Sequence, residues 1–498
     1  MKKLVSLFLA LVLALSMMSF AAAEEPFVLT VMLPDFYPTV DFEVENNPTL
    51  KAIEAATGVK LDIIWAANST YGDTLGTTLA DKVLPNVMVL TDARGNAMID
   101  NARAGAFHDI TDYVNDEVNY PYLAAGSDAV YNNISVDGRI YGIYRSRAQA
   151  RGGIYYRKDI AAQMGITEEP KTIEELTALA KALSDYSDDT YALNMVKYVA
   201  GTIGIITVAH GAPFNWGVNE EGQIYPAHED PAYLEGLNWL RNLYAEGGIN
   251  PDFMTIESGE WDSIERTGKA FMRFDCMDNC YRQQEWFEKN EGVTEEIWAM
   301  VPAVAAADGN MYMWPQNAGY SGEIVITKAV KDEETLKKVL AFLDWTNSAE
   351  GQTLINWGVD GETFWIREDG FRYTNPTDDV DMSLQVQTLQ HSLNQLGTNV
   401  TGDLTPAMKL TTLREEYNGY QKTMMDYIVN DPCHPLTSET YNSFGTTLSQ
   451  MLEDAHVQYI AGIINEDELR AVWQAWSDEG GAMMTMEYNE AYQASLAK

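Results

Sequence analysis

The 498-residue sequence predicts an α/β fold in two lobes, closed by a largely helical C-terminal region. Three observations predict it. Apolar runs of strand length alternate with capped helical periods over the first ninety residues, an order that implies a parallel sheet covered by helices. The length exceeds what one hydrophobic core ordinarily serves. From about Val380 onward helical periodicity dominates to the end of the chain.

Taken in order, Lys2 and Lys3 precede an apolar run from Leu4 to Phe20 and then Ala21-Ala22-Ala23 before Glu24. This is the form of a secretory signal peptide cleaved near Ala23. The run is short for a membrane anchor, which takes about 20 apolar residues. No cysteine lies near the cleavage site to serve as a lipobox acceptor. An exported protein is expected, either periplasmic or extracellular at the cell surface.

Val28 to Met32 reads as a strand. Asn47-Pro48 caps a helix that Gly58 closes. Val59 to Trp65 is the next strand, Thr74 to Val83 a helix, and Val87 to Leu90 a short buried strand. Asp137-Gly138 predicts a hairpin turn between Ile134 and Ile143. A second αβ region starts near Ile154. Thr172 and Glu175 form a capping box opening a helix to about Ser184. Helices over 231–246 and 279–289 bracket a strand from Ala270 to Phe274. Strands near Ala299 and Ile324 follow, then a helix from Glu333 to Trp345 and a hairpin turn at Glu368-Asp369-Gly370.

Composition excludes several classes. The net charge is −40, and loss of Lys2 and Lys3 with the signal peptide takes it to about −42. Such a field repels nucleic acid and anionic lipid. It disfavours polyanionic substrates too, unless a local basic pocket offsets it. Cys276, Cys280 and Cys433 are too few and too odd in number for a disulfide framework, although Cys276 and Cys280 could pair locally. They lack the ligands a zinc site needs, and no Asp-x-Asp-x-Asp-Gly calcium loop occurs. No metal or cofactor is expected. Thr267-Gly268-Lys269 is not a P-loop, because Ser263 replaces the earlier glycine and Ala270 the final hydroxyl residue. Neither Gly-x-Ser-x-Gly nor His-Glu-x-x-His is present.

Four blocks of sequence carry a family resemblance. The first is Val136-Asp-Gly-Arg-Ile-Tyr-Gly-Ile143 with Tyr155-Tyr-Arg-Lys-Asp159, Gly165, Pro170, Thr172 and Glu175. The second is Glu235 to Gly247 with Pro251-Asp-Phe253. Leu340-Ala-Phe-Leu-Asp-Trp345 with Glu350-Gly351 and Gly358 is the third. Gly480-Gly481, Glu487-Tyr-Asn489 and Tyr492 are the fourth. In that order they resemble family 1 of the bacterial extracellular solute-binding proteins, in its long oligosaccharide-type members. The resemblance implies a two-lobe periplasmic-binding-protein-like fold with hinge crossings. Residues 24–148 and 309–385 would form the N-terminal lobe, and 149–308 and 386–498 the C-terminal lobe. It also implies a monomer that is not an enzyme. Its ligand would be a neutral oligosaccharide held in the interlobe cleft, and its partners the permease subunits of an ABC importer.

A sugar presents apolar ring faces and a belt of hydroxyls, so its site needs aromatic faces beside hydrogen-bonding side chains. Aromatic and polar residues just after strands, or where the chain crosses between lobes, are the candidates. They are Tyr37, Trp65, Asp92, Arg94, Tyr144, Arg145, Arg147, Phe214, Trp216, Asp275, Asp278, Trp314 and Gln316. Trp65, Trp216 and Trp314 read equally as cleft or core. Asp92 reads also as a helix N-cap, and Arg145 and Arg147 as a solvated face. Trp239, Trp345 and Trp473 sit at helical apolar spacing and read as core. Two alternatives stay open from the residues: a secreted glycoside hydrolase or lyase, which needs two positioned carboxylates, and a ligand sensor on the same scaffold.

Overall fold

The computed structural model describes residues 26–35, 47–81, 83–373, 392–400 and 410–497. The expected signal peptide and Tyr37 lie outside them. The strands in chain order are β1 (Phe27–Asp35), β2 (Val59–Ala67), β3 (Val87–Leu90), β4 (Gly142–Ser146), β5 (Gly152–Arg157) and β6 (Tyr191–Leu193). They continue with β7 (Trp216–Val218), β8 (Ile224–Pro226), β9 (Ala270–Cys276), β10 (Trp298–Val301), β11 (Tyr320–Ile326), β12 (Trp365–Ile366) and β13 (Arg372–Tyr373).

Two sheets organise two lobes. The first runs β2-β1-β3-β11-β4 and the second β10-β5-β9-β6. β1, β2 and β3 are parallel, as the strand–helix alternation implies. β11 then enters antiparallel between β3 and β4. Leu29, Val31, Val87, Val89, Ile143 and Ile324 are closed in the core of the first sheet. Leu193, Met272, Phe274 and Val301 anchor that of the second. The chain passes between the sheets after β4 and again before β11. It passes a third time between Val400, in the first core, and Leu413, packed beside β5 and β10. The helices Glu439–Ile460 and Glu466–Trp476 add Tyr459, Ile460, Leu469 and Trp473 to the second core.

Local chemistry explains most boundaries. Asn47 Oδ1 accepts from Thr49 N and Leu50 N to open Pro48–Thr57, and Gly58 closes that helix in the left-handed region. Thr172 Oγ1 accepts from Glu175 N. The return bond of the box goes one residue early, from Lys171 N to Glu175 Oε2.

Three expectations shift. The helix expected over 74–83 is Tyr71–Leu79, because Tyr71 is drawn into the core, where its hydroxyl donates to Val89 O at 2.8 Å. The Asp137-Gly138 turn forms, with left-handed φ of 51° and 78°, yet Ile134 joins no strand and β4 pairs with β11 instead. The C-terminal region is also less helical than its periodicity suggests. Residues 428–438 form an irregular segment between helices, where Pro432 and Pro435 forbid regular hydrogen bonding.

The second lobe buries one ion pair. Arg273 is 2% exposed and Glu265 fully enclosed. Arg273 Nε donates to Glu265 Oε1 at 2.6 Å, and Asn194 Nδ2 and the Tyr155 hydroxyl add bonds at 3.1 and 3.2 Å. The Trp261 ring lies 4.5 Å from the guanidinium. Truncating one partner strands the other in a low-dielectric interior, at a cost of about 3–5 kcal/mol. Arg273→Met is therefore expected to destabilise the second lobe by that amount in denaturant unfolding. The double variant Arg273→Met/Glu265→Leu is expected to recover only part of the loss, because Asn194 Nδ2 and the Tyr155 hydroxyl lose an acceptor and Asp262 its partner.

Candidate functional site

A cavity of about 510 Å³ opens beside the second sheet on the side that faces the first lobe. Its floor is the helix Ala200–Ala209, through Ile203, Gly204, Thr207 and Val208. The loop Pro213–Trp216, the end of β8, the irregular segment 431–438 and the helix Glu439–Ile460 form its walls. Arg94 and Ile99 reach it from the first lobe.

Two glycines make room for its main indole. A Cβ on Gly152 would lie 2.5 Å from Trp314 Cε3, and one on Gly204 would lie 2.3 Å from Trp314 Nε1. Only a bare backbone on both sides admits the ring this closely. Trp314, 8% exposed, then meets Phe214 edge to face at 6.1 Å. Trp216 packs against Tyr488 at 5.0 Å and Trp476 at 6.3 Å. The turn that brings Trp476 and Tyr488 together runs through Gly480, whose φ is 146°.

The polar groups are held rather than loose. Arg94 donates to Ser135 O at 2.6 Å, to Leu436 O at 2.6 Å and to Thr437 Oγ1 at 3.1 Å. Its guanidinium thus ties the first lobe to segment 431–438. Tyr320 and His434 Nε2 share a hydrogen bond of 2.6 Å, and burial together with the Arg94 charge pushes His434 down to about 4. Burial likewise pushes His228 down to about 4 and His456 to about 3. All three imidazoles are neutral at physiological pH. The Trp473 indole donates to His456 Nε2 at 3.2 Å, so the proton of His456 sits on Nδ1, which faces the Tyr233 hydroxyl at 3.4 Å. Asp431 accepts from Cys433 N at 2.8 Å and Asn215 Nδ2 at 3.1 Å. Burial outweighs both and raises its carboxyl to about 7.

The structure gathers Arg94, Phe214, Trp216 and Trp314 around this cavity. The other candidates lie elsewhere. Trp65 packs against the first core. Asp92 is exposed and accepts from Arg94 N at 3.0 Å. It is not the N-cap of the helix that follows, which is Gly95. Tyr144 is 1% exposed, with its hydroxyl taken by Ser127 N and Val400 O. Arg145 and Arg147 stand at the crossing after β4. Asp275 accepts from Asn279 Nδ2 at 2.9 Å, and Asp278 lies between Arg151 and Arg282 at 3.0 and 2.6 Å. Gln316 bonds to the Cys276 thiol. Cys276, Cys280 and Cys433 are buried free thiols, so the local pairing of Cys276 with Cys280 does not form. Trp239 stacks on Phe274 at 5.7 Å, and Trp473 is in the second core. No group of metal-ligating side chains occurs among the described residues.

Sequence reasoning missed Asp431, His434, Tyr441, Trp476 and Tyr488, which complete the cavity wall. One signal was present. Pro432 and Pro435 interrupt a region that otherwise reads as helix, and such breaks mark loops able to carry function.

A family model described as bacterial extracellular solute-binding protein matches residues 49–361. The chain is 28% identical over 474 residues to lipoprotein LipO of Bacillus subtilis (strain 168), covering 91% of this chain and 90% of that protein. It is 27% identical over 457 residues to the polygalacturonan/rhamnogalacturonan-binding protein YtcQ of the same organism, covering 90% and 88%. Among solved structures, an extracellular solute-binding protein from Bifidobacterium longum subsp. infantis superposes with a TM-score of 0.68 at 15% identity, covering 94% of this chain and 98% of that one. At that identity the likeness is one of fold.

The Asp431 carboxyl supplies a test of the cavity's electrostatics. Its folded value of about 7 lies above the unfolded carboxyl range of about 3.9. The folded state therefore holds this proton more tightly. The resulting stability is complete below about pH 4 and is lost as pH rises through about 7. The melting temperature is expected to fall between about pH 4 and 7 and to level off above that, and the fall to flatten in Asp431→Asn. Superimposable slopes in the two proteins would contradict the assignment.

Proposed function

We propose that this chain, which belongs to the bacterial extracellular solute-binding protein family, captures a carbohydrate between its lobes and delivers it unaltered to the permease of an ABC importer. The single observation carrying the reading is the cavity of about 510 Å³ in which Trp314, Phe214 and Trp216 sit beside hydrogen-bonding side chains. That volume falls within the range of about 300–1,000 Å³ typical of small-molecule sites. Indole and phenyl faces suit the apolar faces of sugar rings, and Asn215, Asp431 and Ser438 suit their hydroxyls. The name of YtcQ, a polygalacturonan/rhamnogalacturonan-binding protein, points to the same ligand class.

In this reading residues 24–148 and 309–385 belong to one lobe and 149–308 and 386–498 to the other, except that 392–400 pack in the first core and 311–314 beside the second, with hinges near the crossings after β4, before β11 and between Val400 and Leu413. Opening about these hinges would part Arg94 from segment 431–438, to which it is bonded here. The protein acts as an exported monomer. Binding without turnover distinguishes this role from that of a secreted hydrolase.

The test is ligand-induced stabilisation. A bound oligosaccharide at 100 times its Kd adds about 2.7 kcal/mol of stability, which a thermal melt detects. Phe214→Ala removes a ring face from the cavity and is expected to weaken binding about tenfold. The sugar is expected back intact by chromatography after denaturing the complex. A broad panel of oligosaccharides producing no thermal shift, or a recovered sugar that has been cleaved, would defeat the reading.

A further inference from the structure

Arginines in this acidic chain commonly sit against carboxylates. Arg151 and Arg282 both reach Asp278, and Arg414 reaches Glu285 at 2.6 Å. Arg145 and Arg147 are different. Among the described residues neither forms an ion pair, and both turn to one serine. Arg145 Nη1 donates to Ser321 O at 2.7 Å, and Arg147 Nη1 to Ser321 Oγ at 3.2 Å. Arg145 Nε is buried with no acceptor at all. Glu323, the carboxyl two residues along β11, is turned onto Gly142, and burial pushes it well above the usual carboxylate range.

This arrangement is costly as it stands. Residues 145 and 147 alternate on one face of an extended segment, so their like charges face the same way. Burial, and then the Arg147 charge, push Arg145 down to about 10. Burial and the Arg151 charge lower Arg147 as well. An unsatisfied buried N–H on a charged group costs more than a neutral one. A neutral side chain at either position would serve packing better, whereas an anion arriving at the exposed Arg147 would offset the charge of both guanidiniums at short range.

The place is open to ligand. Arg147 is exposed at the crossing from β4 to β5, and its electrostatic neighbours Cys276, Asp278 and Tyr417 belong to the second lobe. Tyr198 also feels the Arg147 charge, is 44% exposed, and directly precedes Val199 and Ala200 of the cavity wall. Arg147 thus lies within electrostatic range of the residue that leads into the cavity wall.

We propose that Arg145 and Arg147 form a carboxylate subsite at the lobe crossing, so that the captured carbohydrate is an acidic saccharide containing uronic acid residues. The inference rests on the carbohydrate-binding reading and narrows it. Forked guanidinium N–H groups match the two oxygens of a carboxylate. A local positive charge here would offset, at short range, the repulsion that a net charge of −40 exerts on an anionic ligand.

Calorimetry on the full chain tests it with four probes: trigalacturonate, its trimethyl ester, a sulfated neutral trisaccharide, and a panel of neutral oligosaccharides. Trigalacturonate is expected to bind about tenfold or more tightly than its ester, which has the same shape without the charge. High salt is expected to narrow that ratio. Arg147→Gln and Arg145→Gln, each checked for an unchanged unliganded melt, are expected to bring the ratio toward one. Arg147→Gln is the more secure of the two because its side chain is exposed. Equal binding of acid and ester, or an unchanged ratio in both variants, would overturn the proposal. So would preference for the sulfated probe. Binding of neutral sugars without trigalacturonate would remove the acidic subsite and leave the carbohydrate reading intact. Binding of none of the four would remove both.

Discussion

The Arg94 guanidinium joins what the chain keeps apart by more than 300 residues. It donates to Ser135 O in the first lobe and to Leu436 O and Thr437 Oγ1 in the segment over the second. Charge-assisted bonds to carbonyls are about twice as strong as neutral ones. Arg103, bonded to both Asp137 and Glu439, and Asn96, bonded to Asn442 O, repeat the pattern along the same helix. Segment 431–438, the cavity roof and the placement of His434 all depend on this seam. Because half of its partners across the gap are backbone oxygens and the one carboxylate, Glu439, is solvent-exposed, the seam can open into water without burying an isolated charge.

The cavity combines wide aromatic surface with titratable groups that carry little charge. His228, His434 and His456 are neutral because burial disfavours the imidazolium. The Asp431 carboxyl is raised to about 7 for the same reason. A wall built this way offers hydrogen bonds of both polarities around the Arg94 guanidinium. That suits a guest rich in hydroxyls. Further positive charge stands at the lobe crossing, where Arg145 and Arg147 form no ion pair among the described residues.

Much of the fold was legible in the sequence because local chemistry marks it. Asn47, Pro48 and Gly58 frame one helix, Val87–Leu90 is a wholly apolar strand, and Glu333–Trp345 carries a clean amphipathic period. What was not legible depended on distant partners. Tyr71 starts its helix early because a strand carbonyl 18 residues away takes its hydroxyl. β4 finds β11 rather than a hairpin neighbour because the first sheet has a vacancy only β11 fills. The site divides the same way. Phe214, Trp216 and Trp314 announce themselves as aromatics beside loop residues. Asp431 and His434 gain their character only from the burial that Arg94 and the C-terminal helices impose.

The position of β11 has a consequence for how the protein is made. β3 and β4 both hydrogen-bond to it, yet about 236 residues separate Leu90 from Ile326. At ordinary elongation rates of 5–20 residues per second, the ribosome takes roughly 12–47 s to supply that strand. Until then the N-terminal sheet has an unfilled slot and a loose edge, and long-range pairing of this kind is slow to form. For a member of an extracellular protein family such delay is useful: the chain stays threadable while its leading half is already synthesised, and it completes its first lobe only after most of its length exists.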